Sequence, residues 1–166
     1  MFNPVSRPER DNLARALGIK PEKAVYFTSS QELTQPRRIH KIRGDGNCYF
    51  RAISFILTGV ESNHLVVRDR VVRHMESAAI GSKLEGYLNK NVTDYLNSSC
   101  MDRDSIWATD AEIISTANLL GCDINVYCRL KWARSSTGKD FLHTSFSASL
   151  LMLASTWTTV WVTTLF

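Results

Sequence analysis

No Cys-x-x-Cys pair occurs in this chain. No histidine follows its four cysteines, Cys48, Cys100, Cys122 and Cys128, at zinc-finger spacing. A structural zinc site of the usual kind is therefore excluded, and no metal is expected. The first ten residues carry Pro4 and Pro8 and no apolar run, so they do not read as a secretory leader. Reduced thiols and a cytoplasmic or nuclear setting are the expectation. No apolar stretch approaches the ~20 residues a membrane helix needs, so no membrane partner is expected. Basic charge is also little concentrated: the net charge is +4, spread thinly, and Arg37, Arg38 and Lys41 form only a small cluster. Nothing resembles a long Lys/Arg run interleaved with aromatics, and no nucleic-acid partner is expected. No internal repeat is visible, and nothing bears on oligomeric state.

One absence is local. Phe141 to Phe166 contains no Asp, Glu, Lys or Arg in 26 residues, although about six would follow from the chain's 22% charged fraction. Ten of those 26 residues are Ser or Thr, and the continuous apolar run, Leu150 to Ala154, is short. The chain accordingly divides into an N-terminal helical extension and linker (1–36), a body (37–140) and an atypical uncharged tail (141–166).

What is present describes an ordinary globular body. The chain has 166 residues, 44% of them apolar. A domain of this size buries roughly two-thirds of its unfolded surface, so neither a disulfide nor a cofactor is needed to hold it. Ser6 and Glu9 have capping-box spacing and predict a helix over 6–17, with Leu13, Ala14 and Leu17 on one face and Gly18 as its stop. Pro21 and Pro36 punctuate a loop-like stretch from 19 to 36. A short strand is expected at 38–42. A helix then starts at Asn47 or Cys48, carries Phe50, Ile53 and Leu57 on one face, and ends at Gly59. Asn63 is placed to cap a helix over 64–78 with Leu65, Val71, Val72 and Met75 inward. Only a short helical turn, around 93–97, is expected between 80 and 106.

Thr109 and Glu112 form a second capping box, for a helix closed by Gly121. From Cys122 to Trp132 apolar and polar residues alternate, which is the period of a half-buried strand. Helices with few strands give an α/β or α+β class.

The chemistry concentrates at Gly44-Asp45-Gly46-Asn47-Cys48. A thiol attacks as thiolate, and an ordinary thiol, with a pKa of ~8.5, is mostly protonated at neutral pH. The first turn of a helix favours the anion through unpaired N–H groups and the helix dipole. The glycine-rich turn allows backbone N–H groups to face a developing oxyanion. By itself this pattern fits a buried structural cysteine as well as a nucleophile.

Asp45-Gly46-Asn47-Cys48-Tyr49-Phe50-Arg51-Ala52 resembles the nucleophile signature of ovarian-tumour-type (OTU) cysteine proteases over eight consecutive positions. Trp107 to Ile113 and Leu120 to Tyr127 resemble the family's later helix-to-strand block. The resemblance spans about residues 38–132. It implies a papain-like fold with a small central sheet flanked by helices. It also implies a ubiquitin or ubiquitin-like partner and hydrolysis after that partner's C-terminal glycine. By the same resemblance Cys48 is the nucleophile, Asp45 shapes the oxyanion turn, and the N–H groups of Asp45 and Cys48 are the donors. Arg51 is read as an ion-pair residue, Glu112 as a cap and Trp107 as core.

The family's late His-aromatic-Asp or His-aromatic-Asn pattern is missing. His40 precedes the nucleophile, and His64 and His74 read as helix-surface residues. His143, followed by Thr144 and Ser145, is the one candidate base, and no acid follows Asp140 to orient it. The expected function is a cysteine deubiquitinase weakened by this loss, with a non-catalytic ubiquitin-binding module as the alternative. The tail's composition suits translation out of frame. Trp161 to Leu165 can be encoded by TGG-GTC-ACT-ACC-TTG, and the same bases two positions on read Gly-His-Tyr-Leu.

Overall fold

Ser6 and Glu9 close their capping box: the Ser6 side chain accepts from the Glu9 N–H, and the Glu9 carboxylate accepts from the Ser6 N–H at 2.9 Å. Helix α1 (Arg7–Ala16) follows, with Ala14 buried on its inner side and Gly18 beyond it at φ +75°. The computed structural model describes residues 5–23, 38–128, 149–156 and 159–164. After α1 come strand β1 (Arg38–Lys41) and helix α2 (Cys48–Thr58), then α3 (His64–Met75), α4 (Gly81–Leu88), α5 (Val92–Ser99) and α6 (Asp110–Leu120). Three strands finish the order: β2 (Asp123–Cys128), β3 (Ser149–Thr156) and β4 (Thr159–Thr164).

Helix α2 is the centre of the fold. A single apolar face was expected, but nine of its eleven residues are buried. The reason is its neighbours: α1, α3 and β4 all pack on it, so almost no side of it meets water. Phe50, Ile53 and Ile56 are fully enclosed, and each such side chain contributes about 1.5–3 kcal/mol of burial. Its buried hydroxyls are satisfied locally. Ser54 Oγ donates to the Val60 carbonyl at 2.6 Å, and Thr58 Oγ1 donates to the Ser54 carbonyl at 2.8 Å. Gly59 ends the helix in the left-handed region, as its position in the sequence suggested.

Helix α3 departs from the expected stripe. Leu65 is half exposed, and Arg68 is buried in company with Val71, Val72 and Met75. The buried residues 67, 68, 71, 72 and 75 centre on one helix face, and 65 lies at its edge in the first turn, on the side away from 67 and 71. Asn63 occupies the N-cap position without a side-chain cap; its amide reaches Thr58 Oγ1 at 3.5 Å instead.

The stretch from 80 to 106, expected to hold one short turn of helix, contains two helices. Gly81 and Gly86 weaken the helical signal of α4, and Asn89 rather than glycine takes the left-handed stop. Asn91 then caps α5 by accepting from the Thr93 N–H at 2.8 Å, while its amide donates to Glu85 at 2.7 Å. Thr109 and Glu112 form the second capping box, and Gly121 closes α6.

The sheet has four strands in the order β1-β4-β3-β2. Strand β4 runs antiparallel to β1, with Ile39 opposite Thr163 and Lys41 opposite Trp161, and antiparallel to β3 with an irregularity between Ala154 and Thr156. Strands β3 and β2 are parallel, from Asp123 opposite Ser149 to Cys128 opposite Ala154. The uncharged tail thus supplies the two inner strands. The expected strand beginning at Cys122 is present to Cys128, and its continuation to Trp132 lies outside the described residues. Among the described residues no helix is long and apolar enough to cross a membrane.

Candidate active site

Cys48 is the first residue of α2 and is 5% exposed. It sits at the mouth of the central helix, where the aligned peptide dipoles favour an anion. Asn47 holds the N-cap position, but its side chain does not cap the helix. It faces the other way: its Oδ1 accepts from Arg68 Nη2 at 2.8 Å and from the Ser105 N–H at 3.1 Å. Asn47 therefore does not cap the first turn of α2 with its side chain.

Asp45 stands in the turn before α2, and its carboxylate is fully engaged there. Arg51 grips it from one turn into α2, with Nη2 to Oδ2 at 2.6 Å and Nε to Oδ2 at 3.0 Å. The Asn47 N–H donates to Asp45 Oδ1 at 3.1 Å, and Arg43 stands at 3.6 Å. The Arg51 hydrogen bonds, helped by the Asn47 N–H and the Arg43 charge, hold the Asp45 pKa down to about 2. A carboxylate so strongly ionised holds geometry and is no proton carrier at neutral pH. Arg51 is the ion-pair residue it was read to be.

Gly46 is required twice over. Its φ is +81°, which costs a side-chain-bearing residue energy, and a Cβ there would lie 2.8 Å from the Ser105 Cα and closer still to the Ser105 carbonyl. The turn is pressed directly onto the backbone of the segment leading to α6. Ser105 itself has φ +63°, a conformation a serine seldom adopts without surrounding support.

Arg68 underlies the whole arrangement, and sequence reasoning missed it. Its guanidinium is 2% exposed. Nη2 donates to the Gly46 carbonyl at 3.3 Å and the Ile106 carbonyl at 2.6 Å; Nη1 donates to the Met101 carbonyl at 3.0 Å. The cation also lies 4.1 Å from the centre of the Phe50 ring. The signal that could have found it is a lone charge at a core position of an apolar helical stripe.

Glu112 is the cap it was expected to be, and more. It is wholly buried and accepts from the Thr109 N–H at 2.6 Å and the Tyr95 hydroxyl at 3.0 Å. Burial pushes its pKa up against those hydrogen bonds. Trp107, expected in the core, is 38% exposed on the segment just after the Arg68 contact at Ile106.

The described histidines are occupied elsewhere. His40 stacks on Phe55 with ring centres 3.8 Å apart and meets Glu61 at 3.5 Å. His64, read as a surface residue, is half-buried with Nδ1 3.2 Å from Arg51 Nη1 and 3.0 Å from the Glu61 carbonyl. His74 Nε2 meets Asn118 Oδ1 at 2.8 Å. His143 lies outside the described residues. Strand β4, which packs on α2, carries no titratable residue. Among the described residues no three His, Cys, Asp or Glu side chains group as a metal site would require. A cavity between α1 and the 18–23 segment shares no residue with the nucleophile turn.

Over 92 residues, 55% of its length, the chain is 34% identical to the OVARIAN TUMOR DOMAIN-containing deubiquitinating enzyme 9 of Arabidopsis thaliana, and it spans only 26% of that relative's length. Its fold is similar to the OTU domain of OTUD1, with a TM-score of 0.57 at 22% identity over 76% of this chain and 85% of that one. It is also similar to the Hazara virus OTU solved bound to ubiquitin, with a TM-score of 0.50 at 15% identity over 84% of this chain and 94% of that one. The model of the OTU-like cysteine protease family matches residues 43–166, three-quarters of the chain, from the arginine beside Asp45 through the last strand, and the chain belongs to that family.

Proposed function

We propose that this chain acts on ubiquitin or a ubiquitin-like protein as a thiol-dependent hydrolase of the bond after the partner's C-terminal glycine. One observation carries the reading: Cys48 opens a buried central helix beneath a turn whose only tolerated residue at position 46 is glycine and whose carboxylate and amide are both tied down. That is a preorganised setting for a thiolate and an oxyanion. A ubiquitin-bound relative of the same fold and a deubiquitinase relative in sequence support the choice of partner. The reducing cytoplasm or nucleus suits such a thiol.

In the reaction the Cys48 thiolate attacks the carbonyl carbon, and the N–H groups of the turn and first helical turn stabilise the tetrahedral oxyanion. Collapse expels the amine, which takes up the proton the thiol gave up to the base. Water then cleaves the thioester, releasing the carboxylate and restoring the thiol. His143 is the one candidate in the sequence for that base.

The test is a ubiquitin bearing a thiol-reactive group at its C-terminus. Labelling is expected in wild type, in Cys100→Ala, in Cys122→Ala and in Cys128→Ala, and is lost in Cys48→Ala. Labelling that persists in Cys48→Ala would show the site to be wrong. The engagement of His40 with Phe55, of His64 with Arg51 and the Glu61 carbonyl, and of His74 with Asn118 favours a second reading, a module that holds ubiquitin without cutting it. Tight ubiquitin binding without labelling would select that one.

A further inference from the structure

The nucleophile turn is clamped from beneath by a buried cation. Arg68 stands on α3, and its guanidinium reaches three separate pieces of chain: the Gly46 carbonyl and Asn47 side chain of the turn, the Met101 carbonyl after α5, and the Ile106 carbonyl before α6. These pieces lie 21 to 38 residues from Arg68 in sequence. Among the described residues no carboxylate stands within ion-pair distance of it. A buried cation whose partners are carbonyls, the Met101 sulfur and the Phe50 ring, with no carboxylate, is costly to fold around. A leucine or methionine would fill such a space at lower cost unless the charge or the hydrogen-bond fork serves a purpose.

The geometry shows what the fork does. The Gly46–Asn47 peptide is held at both ends: its carbonyl accepts from Arg68 at 3.3 Å and its N–H donates to Asp45 at 3.1 Å. With that peptide plane fixed, Asn47 is set against Ser105, and the helix starts at Cys48 in one direction only. A lysine could supply the charge, but a single ammonium cannot span three peptide groups held in different directions.

We propose that Arg68 is the positioning residue of the nucleophile: it holds Gly46 and Asn47 against the 101–106 segment and thereby aims Cys48 and the N–H groups beside it at the reacting carbonyl. Its charge adds to the effect. Asp104 before α6, Glu112 on α6, Asp45 in the turn and Cys48 on α2 are the groups that face it electrostatically, and of these Cys48 is the one that reacts. Burial lowers the guanidinium's own pKa, but from so high a value that it remains a cation at any working pH.

The inference rests on Cys48 being the nucleophile, so its test uses a reaction that needs no ubiquitin. Alkylation of Cys48 by iodoacetamide is followed peptide by peptide by mass spectrometry from pH 5 to 10, on wild type, Arg68→Lys and Arg68→Met, each checked for folding by circular dichroism. Arg68→Met is expected to slow Cys48 alkylation at pH 7 about tenfold or more and to move the midpoint of its pH profile upward. Arg68→Lys should keep most of the midpoint and still lose labelling by the ubiquitin electrophile, because the charge survives and the fork does not. Folded variants that match wild type in rate, midpoint and labelling overturn the proposal. So does a variant whose melting temperature falls while all three readouts stay put, since that is what a merely structural arginine would do.

Should the arginine variants not fold, Asn47→Ala decides. It removes the shorter of the two Arg68 bonds to the turn, and the Ser105 bond with it, while leaving the Gly46, Met101 and Ile106 carbonyl bonds in place. A severalfold slower alkylation supports the clamp, and an unchanged rate refutes it. Failure of the ubiquitin reading would look different: wild type would alkylate at Cys48 and yet not be labelled by the ubiquitin electrophile.

Discussion

Replacing Gly46 by alanine should damage this protein more than its one added carbon suggests. Two costs combine. At φ +81° a residue with a Cβ pays about 1–2 kcal/mol in backbone strain. The new Cβ would also fall within the Ser105 backbone, at 2.8 Å from its Cα. Backbone cannot swing aside as a side-chain end can, so either the turn or the 101–106 segment must move, at about 1–3 kcal/mol for overpacking of this kind. The sum is about 2–5 kcal/mol, against a total stability of about 5–15 kcal/mol for a domain. At roughly 2–4 °C per kcal/mol for a chain of this length, the melting temperature should fall by about 4–20 °C.

A matched control is available in the same protein. Gly86 lies in α4 with nothing within 4 Å of where its Cβ would stand and no positive φ. Gly86→Ala should stabilise by about 0.5–1 kcal/mol, through the helix propensity and unfolded-state entropy that alanine improves. Urea unfolding followed by tryptophan fluorescence, with thermal melts alongside, measures both variants. A Gly46→Ala protein that melts within about 2 °C of wild type would refute the close approach of the turn to Ser105.

Three further outcomes are expected. Asp45 has a folded pKa of about 2, below its unfolded 3.8, so its contribution is complete above pH 4 and is lost as pH falls toward 2. For a side chain about one-fifth exposed that contribution is about 1–2 kcal/mol. Melting temperatures from pH 5 to 2 should therefore drop more steeply in wild type than in Asp45→Asn, and parallel curves would contradict the ion pair. Di-ubiquitin hydrolysis by this chain should be on the order of 10³-fold or more below that of a protease with a complete base and orienter. Rapid cleavage disproves this, and its disappearance in His143→Ala would identify the base. Finally, a tail read out of frame requires that genomic DNA across codons 161–165 contain CACTAC in the shifted frame; the family model's match through residue 166 in the present frame weighs against it. That frame places His-Tyr at positions 162 and 163 of β4, the strand that packs on α2. Any other sequence there ends the idea.

Much of the local structure was legible because its causes span four residues or fewer. Ser6 with Glu9 and Thr109 with Glu112 announced two helix starts, and Gly59 and Gly121 announced two stops; each is a hydrogen-bond or φ requirement met within one turn of chain. Cys48, Asp45 and Arg51 were legible for the same reason, since the pair Arg51–Asp45 closes within six residues. Helix α5 was legible only as a short turn around 93–97, and α4 was not legible, because two glycines and an asparagine stop mute its local signals and packing supplies the rest. Leu65 and Trp107 look like core residues by type and are exposed, while Arg68 looks like a surface residue and is among the most deeply buried.

The sequence by itself determined that Cys48 opens a helix after a glycine-rich turn, which is a local instruction, and so marked it as the candidate nucleophile. Only the tertiary structure decided what holds that turn. Arg68 and Ser105 reach it from 22 and 58 residues away, and partners brought together by packing at such separations leave no periodic trace in the chain.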